Sequence, residues 1–462
     1  MDWDIIDSRI LTELRAAVGD GRLSTAAEEL TAYAYDGTWM ETRPDVVVHP
    51  ETTAQIAAVL RIADAHRIPV VPRGSGTGLA GGSLPVAGSI CLNLARINRI
   101  LDISVADTLA VAQPGVITYD LQKAVEKLGL FYPPDPASIY QCSIGGNVAT
   151  NAGGPRCLKY GVTGDYVLGL EAVLAGGHVL RLGGRTIKDV AGYDLKRLFI
   201  GSEGTLGVIT EITVRLIPKP AAQLTALAAF PRLADACQAV GAILQAGVIP
   251  LVTELMDQGT TRAVEDFKHL GLPTDVEALL LVAVDGDAEL VKREVETVAD
   301  ILKRSGAREV RQAGSAAESE ALWEARRSVS PAIARLARNK LGEDVTVPRS
   351  KIPEMVARLG DIAHANDLRI VVYGHIGDGN LHPTILCDRR DAAMMKRVEK
   401  AAGEVLGAAV ALGGTLTGEN GIGVFKRAYV EMGLDRNALA WMAGVKALFD
   451  PNGILNPGKK LP

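Results

Sequence analysis

Between Pro72 and Pro85 the chain reads PRGSGTGLAGGSLP, directly after the apolar run Ile68 to Val71. Five glycines (Gly74, Gly76, Gly78, Gly81, Gly82) stand there among the small hydroxyl residues Ser75, Thr77 and Ser83. The apolar run ends a short strand. Glycines after it let the backbone turn its N–H groups toward one point with no β-carbon in the way. Such a concave row of amides suits a pyrophosphate, and Arg73 beside Pro72 adds a fixed positive charge. Few other features constrain a fold as tightly.

Two more glycine clusters follow, each abutting a strand. From Ser143 the chain reads SIGGNVATNAGG, with Gly145, Gly146, Asn147, Thr150, Asn151, Gly153 and Gly154. Tyr160, Gly161 and Asp165 then precede a strand that begins near Tyr166. The third stretch, Ile200 to Pro218, places Gly201, Ser202, Glu203, Gly204, Thr205 and Gly207 before a β-branched strand opening at Val208 and Ile209. One glycine-rich loop alone reads better as a plain turn; three in order point to a large phosphate-bearing cofactor. None carries G-x-G-x-x-G leading into a helix with an acidic residue some 20 positions on, and no Walker lysine precedes a Ser or Thr. Standard nicotinamide and nucleotide-triphosphate routes are disfavoured.

The chain has 462 residues, too many for one ordinary core, so two or three domains are expected. A net charge of -5 with no basic cluster argues against nucleic-acid binding. No 18-residue apolar run occurs, and the start MDWDIIDSRI is acidic and lacks a secretory pattern. A cytoplasmic protein is expected, with docking to the inner face of a membrane complex compatible. The cysteines, Cys91, Cys142, Cys157, Cys237 and Cys387, form no CxxC, so no zinc ribbon or iron–sulfur ligand set is visible; buried thiols are the simplest expectation.

Residues 4 to 30 carry helical spacing. DVVVHP and IPVVP read as strands around an amphipathic helix from Glu51 to His66, with Thr52 or Thr53 near its start. Strands in SICLNLARINRILDI and TLAVAQPGV and a helix over Thr118 to Gly129 follow. Beyond Pro218 and Pro220 the texture changes to strand, helix (233–246), strand (250–256), strand LLLVAVDG and a helix from Ala288. This spacing suggests a split β-α-β sheet with helices on one face.

Val371 to Leu386 reads VVYGHIGDGNLHPTIL, two apolar strands around IGDGN, whose Asp-Gly and Gly-Asn pairs suit a hairpin turn. His375 and His382 stand symmetrically about that turn, and Glu419 follows in LTGENGIG. Two imidazoles and a carboxylate with open positions would suit zinc, manganese or iron(II) as a Lewis acid. By spacing alone the better reading is two turn histidines and a solvated glutamate, since such pairs without a full ligand set are common in loops. Arg326 and Arg327, in LWEARRSVSP, read as a helical pair that is either solvated or turned to a site.

PRGSGTGLAGG, SIGGNVATNAGG and GSEGTLGVIT together resemble the FAD-binding domain of the vanillyl-alcohol oxidase superfamily, and in particular its branch of glycolate oxidase catalytic subunits, D-lactate dehydrogenases and D-2-hydroxyglutarate dehydrogenase. The resemblance covers nearly the whole chain. It implies an α+β protein: a two-subdomain FAD-binding domain over 1–219, a ferredoxin-like substrate domain over 220–410, and a C-terminal helical segment, 411–462, that returns to the FAD domain. The first loop would wrap the pyrophosphate, and the second and third clusters, with Pro136, would line the adenine, ribose and flavin sides. FAD would be held without a covalent bond, since the first loop has no histidine to tether it. Asn456, in ILNPGK, matches an asparagine near the flavin ring.

The resemblance also gives the hairpin a role. GHIGDGNLH matches the branch's metal hairpin and Glu419 its carboxylate ligand, so a divalent metal is implied. Arg326 aligns with an arginine that forks onto the substrate carboxylate, and Ser330 with a nearby hydroxyl; Thr384 joins the same set. Lys340 is the nearest match to a family lysine, at an offset that differs by two residues. Where the branch carries a histidine proposed as catalytic base, this chain has Asn420, and an amide takes no proton at neutral pH. The implied reaction is FAD-dependent oxidation of a small D-2-hydroxy acid of glycolate or D-lactate type to the 2-oxo acid, by hydride transfer to flavin N5 with the metal on the 2-hydroxyl. The chain has no iron–sulfur ligands of its own. A separate iron–sulfur subunit, an electron-transferring flavoprotein or quinone is the implied acceptor, and a homodimer is compatible. The alternative is a flavin-binding electron-transfer subunit whose own substrate site is degenerate, which Asn420 favours. A non-catalytic metal- or ligand-binding protein is the reading of a different class.

Overall fold

The computed structural model describes residues 5–462. The chain divides into two compact units. The first comprises Met1–Gly154, Val162–Lys219 and Glu419–Pro462; the second comprises Pro155–Gly161 and Pro220–Gly418.

The first unit starts from a parallel β-α-β crossover. Strand Val46–Val48 leads into helix Thr53–Ala65, whose first turn is capped by Thr52 Oγ1 accepting from the Gln55 amide at 3.2 Å. Ile56, Val59, Leu60 and Ala63 recur at helical spacing and are all buried. Burying an Ile, Val or Leu side chain stabilises by about 1.5–3 kcal/mol. The chain returns in strand Val70–Arg73, and both strands pair in parallel with Ile90–Asn93 between them, with Arg73 opposite Asn93. Residues 74–89 must therefore leave one strand and re-enter its neighbour. A second sheet, wholly antiparallel, runs in the order Ile100–Ser104, Leu109–Ala112, Val208–Arg215, Val167–Val173, Val179–Gly183.

The C-terminal tail closes this unit. Residue Leu455 forms a parallel bridge with Val70, through Val70 N–H to Ile454 O and Asn456 N–H to Val70 O, both 2.8 Å. The tail thus extends the sheet whose strand launches the first glycine loop.

The second unit is built on one antiparallel sheet in the order Glu309–Gln312, Ala222–Phe230, Ala278–Gly286, Val252–Asp257, Arg369–His375, Asn380–Cys387, Asn339–Gly342, with Val345–Thr346 also on Asn380–Cys387. Helices cover both faces, where sequence spacing predicts one. Gln258–Lys268, Ala316–Arg327 and Val329–Ile333 pack on the face of Leu227, Val252, Met256 and Leu281. Helices Leu233–Gln245 and Ala288–Arg304 pack on strands Ala222–Phe230 and Ala278–Gly286 from the other side. The run ALLLVAV carries the reason: a strand apolar at every position must be covered twice.

Candidate functional site

In the first unit the three glycine clusters and the tail converge. A β-carbon at Gly74 would lie 2.5 Å from Ser143 Oγ, so the first loop touches the start of the second cluster, and one at Gly204 would lie 3.2 Å from the Pro72 ring. Ser143 caps the short helix Ile144–Thr150 by accepting from the Gly146 amide. Asn151 adopts a left-handed φ of 53°, and its Oδ1 accepts from the Gly164 amide at 2.8 Å. The Glu203 amide donates to Ala149 O at 2.7 Å, which joins the third cluster to the second. Asn456 completes the junction by donating to Gly82 O at 2.8 Å and Glu203 O at 2.6 Å.

Several residues singled out in the sequence spend their side chains on this framework. Asn147 donates to Thr118 Oγ1 at 2.7 Å, Thr150 bonds back to Gly146 O, and Asp165 accepts from the Val162 amide. The buried Glu203 carboxylate accepts from the Ile422 and Gly423 amides at 2.9 and 2.7 Å. Val208 and Ile209 are buried at the start of their strand, and Gly207 lies where a β-carbon would meet the Phe199 ring at 2.8 Å. Pro136 heads a turn, accepting from the Ile139 amide. Gly145, Gly146 and Gly153 are backbone elements of the second cluster. Tyr160 and Gly161 belong to the second unit, where Tyr160 Oη donates to Asp285 Oδ2 at 2.8 Å beside Lys159.

Arg73 is nearly buried at the entrance of the first loop, its guanidinium 5.5 Å from the Tyr33 ring centroid. The Tyr33 hydroxyl accepts from Asn93, Asn93 lies 3.0 Å from His49 Nδ1, and His49 Nε2 lies 2.7 Å from Glu29. This buried polar string, unmarked by any motif, holds the ring on which Arg73 rests.

In the second unit the hairpin strands are Arg369–His375 and Asn380–Cys387. Their register sets His375 opposite Asn380 and His382 opposite Tyr373, so the histidines are diagonal neighbours on one face rather than a symmetric pair. Their ring centroids are 5.0 Å apart. Thr384, two residues on, shares that face and pairs with Gly342; Lys340 lies on the same edge strand and donates to Ser330 Oγ at 3.0 Å. Arg326, in the last turn of Ala316–Arg327, lies 5.1 Å from the Tyr373 ring centroid. Arg327 points to exposed pairs with Glu320 and Glu324.

Glu254 is the residue the sequence did not announce. It lies on Val252–Asp257 opposite His375, fully buried, with Oε1 2.5 Å from His375 Nδ1 and Oε2 accepting from Arg326 Nε. Burial pushes its carboxyl up, but the charges of His375 and Arg326 outweigh this and bring it to about 2. A lone acid in LVTELMD was the available signal. His382 is held down to about 3, first by burial and then by His375, so it is neutral at pH 7. Burial raises Asp378, in the turn, to about 6 against the pull of His375. Asp344, also buried, accepts from Asn380 Nδ2 and Thr417 Oγ1, both at 2.6 Å, and from the Gly418 amide at 3.0 Å. Gly418 ends the second unit, and Glu419 is the next residue along the chain.

Residues 219–460 match the family model "FAD linked oxidases, C-terminal domain", and residues 44–183 match "FAD binding domain". The chain belongs to the FAD-linked oxidases.

Within this family the oxidase is 49% identical over 428 residues to glycolate oxidase subunit GlcD of Bacillus subtilis, covering 92% of this chain and 91% of the relative. It is 36% identical to a D-lactate dehydrogenase of Anaerostipes hadrus (90% and 89% covered) and 33% identical to D-2-hydroxyglutarate dehydrogenase of Stutzerimonas stutzeri (98% and 99%). Among solved structures its fold is shared with p-cresol methylhydroxylase, with a TM-score of 0.82 at 20% identity over 98% of this chain and 96% of that one. The α+β architecture of the vanillyl-alcohol oxidase type is thereby shown.

The first unit of this FAD-linked oxidase fits the cofactor that its family name states. Its loops pack so tightly that a β-carbon at Gly145 would meet the Pro114 ring and backbone, while Ser83 Oγ and Asn456 Oδ1 are buried with no hydrogen-bond partner among the described residues. Buried polar atoms of that kind call for a ligand or water. Within the hairpin, His382, neutral at pH 7, is a donor chemically suited to a divalent metal. No helix among the described residues is long and apolar enough to cross a membrane.

Proposed function

We propose that this protein oxidises a small D-2-hydroxy acid, of glycolate or D-lactate type, to the 2-oxo acid. The observation that carries the proposal is the shared sheet face of His375, His382 and Tyr373 with Arg326 laid over it, in a chain that also carries the flavin loops. FAD, when bound, supplies the acceptor for the substrate's hydride.

Arg326 meets the substrate carboxylate through Nη1 and Nη2, because Nε is committed to Glu254. Ser330 and Thr384 add hydroxyls, and Lys340, tied to Ser330, lends a cation at the rim. His375, His382 and Glu419 would hold a divalent metal, which supplies Lewis acidity toward the 2-hydroxyl. Asn420 offers no base. The first glycine loop, with Pro72, Arg73, Ser75, Thr77 and Ser83, would hold the pyrophosphate; Asn456 would stand by the flavin ring.

The relatives named as glycolate oxidase subunits suggest that the protein works in a complex, with electrons leaving to a separate iron–sulfur subunit, electron-transferring flavoprotein or quinone. Docking at a membrane face through such a partner belongs to the same proposal.

Anaerobic titration of the purified, metal-analysed protein with glycolate, D-lactate, L-lactate and D-2-hydroxyglutarate tests the reading. Bleaching of the oxidised flavin band by one D-acid or glycolate supports it and names the substrate. Flavin and metal present without bleaching by any acid would favour the second reading, suggested by Asn420: a flavin-binding electron-transfer subunit with a degenerate substrate site. Protein without flavin after gentle purification would overturn both.

A further inference from the structure

Within the second unit, the side chain proposed to recognise the substrate and one of those proposed to bind metal are held by a single carboxylate. Glu254 Oε1 lies 2.5 Å from His375 Nδ1, and Oε2 accepts from Arg326 Nε. The carboxylate is fully buried on a central strand, in direct register with His375. Burying a charge on two separate partners is costly unless both bonds are kept. Each bond has a directional consequence. A carboxylate on Nδ1 selects the imidazole tautomer with its proton there, which turns the lone pair to Nε2. A carboxylate on Nε fixes the guanidinium plane and turns its end-on edge, Nη1 and Nη2, away from Glu254.

We propose that Glu254 is a positioning residue that sets His375 in the Nδ1–H tautomer and Arg326 in its end-on orientation, so that metal and substrate carboxylate are held at a fixed separation. The metal half of this proposal rests on the reading of the hairpin given above. The imidazole half can be read without metal or turnover. On this sheet face Tyr373 supports the guanidinium and His382 stands edge-on to His375. Glutamine cannot replace Glu254 silently. An amide offers one acceptor oxygen and one N–H2 group, so either His375 Nδ1–H or Arg326 Nε–H would face a donor.

The test is nitrogen NMR of histidine-labelled, FAD-loaded, metal-stripped protein; the chain has seven histidines, and His375→Asn assigns the signal. The expected result is a proton on His375 Nδ1 in the wild type. In parallel, zinc affinity of the wild type and of Glu254→Gln is measured by competition with a chelator dye, with flavin content and melting temperature as the check on folding. A 10–100-fold weaker zinc affinity in Glu254→Gln is expected, the usual effect of removing a carboxylate behind a histidine ligand. A wild-type His375 with no proton on Nδ1, or Glu254→Gln binding zinc as tightly as wild type, overturns the proposal. If Glu254→Gln does not fold, the wild-type tautomer decides. Wild type that binds no zinc overturns the metal reading alone, and the tautomer again decides the role of Glu254.

Discussion

Asn456 donates its side-chain amide to the backbone carbonyl of Glu203, 2.6 Å away in space and 253 residues away in sequence. The same amide reaches Gly82 O, so one residue of the tail ties together the first and third glycine clusters. Asn456→Ala removes both donors and leaves two carbonyls without them, a loss of about 2–3 kcal/mol from the flavin unit. Urea unfolding measures it, and Asn456→Asp, which keeps the size but not the N–H2 group, is expected to lose as much. An Asp variant as stable as wild type would show that these bonds do not hold the clusters.

Glu203 works from the opposite side. Its carboxylate receives the Ile422 and Gly423 amides and the Lys460 ammonium, the last at 3.2 Å. Glu203→Gln turns an N–H2 group toward one of those amides, and the segment after Glu419 loosens at a cost of about 1–3 kcal/mol. Limited proteolysis is expected to cut within 419–430 in the variant and not in the wild type.

Lys459 gives the flavin unit a pH signature. It is buried, and burial lowers its ammonium to about 8 from 10.5, against the opposing pull of Asp36 and Glu203. A depressed lysine means that the unfolded chain holds the proton more tightly, so flavin-free protein is least stable below pH 8 and gains stability as pH rises toward 10.5. The span is about 3 kcal/mol. Lys459→Met is expected to be the more stable protein at pH 7 and to lose that advantage near pH 10. Parallel stability curves for the two proteins would refute this.

Gly145 admits no side chain: a β-carbon there would lie 2.4 Å from Pro114 Cβ and 2.9 Å from its carbonyl oxygen. Gly145→Ala must shift the second cluster, and overpacking of this kind costs about 1–3 kcal/mol. Purified Gly145→Ala protein is expected to carry less than the wild-type complement of FAD.

Chelator treatment separates the two candidate groups. The treated protein is expected to retain its flavin spectrum while hydroxy acids no longer bleach it, and zinc or manganese restores bleaching. Unchanged bleaching in metal-free protein would remove the metal from the mechanism.

Much of this was written locally in the chain. The strand Ile68 to Val71 and its glycine loop, the capped helix after Thr52, and the hairpin around GDG each follow from a short run of residues, because turns, caps and strand alternation are set by neighbours. Glu254 was not visible in the same way. A single acid in an apolar strand has no period or spacing to mark it, and its meaning depends on a register between strands over 100 residues apart. The same holds for Asp344, for the string from Glu29 to Arg73, and for the second layer of helices, which only the unbroken apolar run Ala278 to Val284 foreshadowed.

The sequence alone determined the glycine clusters, the histidine hairpin and the family to which they belong, since those depend on residue type and local spacing. The tertiary structure decided that the histidines are diagonal, that one buried carboxylate serves both His375 and Arg326, and that Asn456 and Glu203 lock the tail onto the loops. These are pairings of distant segments. Backbone hydrogen bonds and burial choose them only once whole sheets have formed.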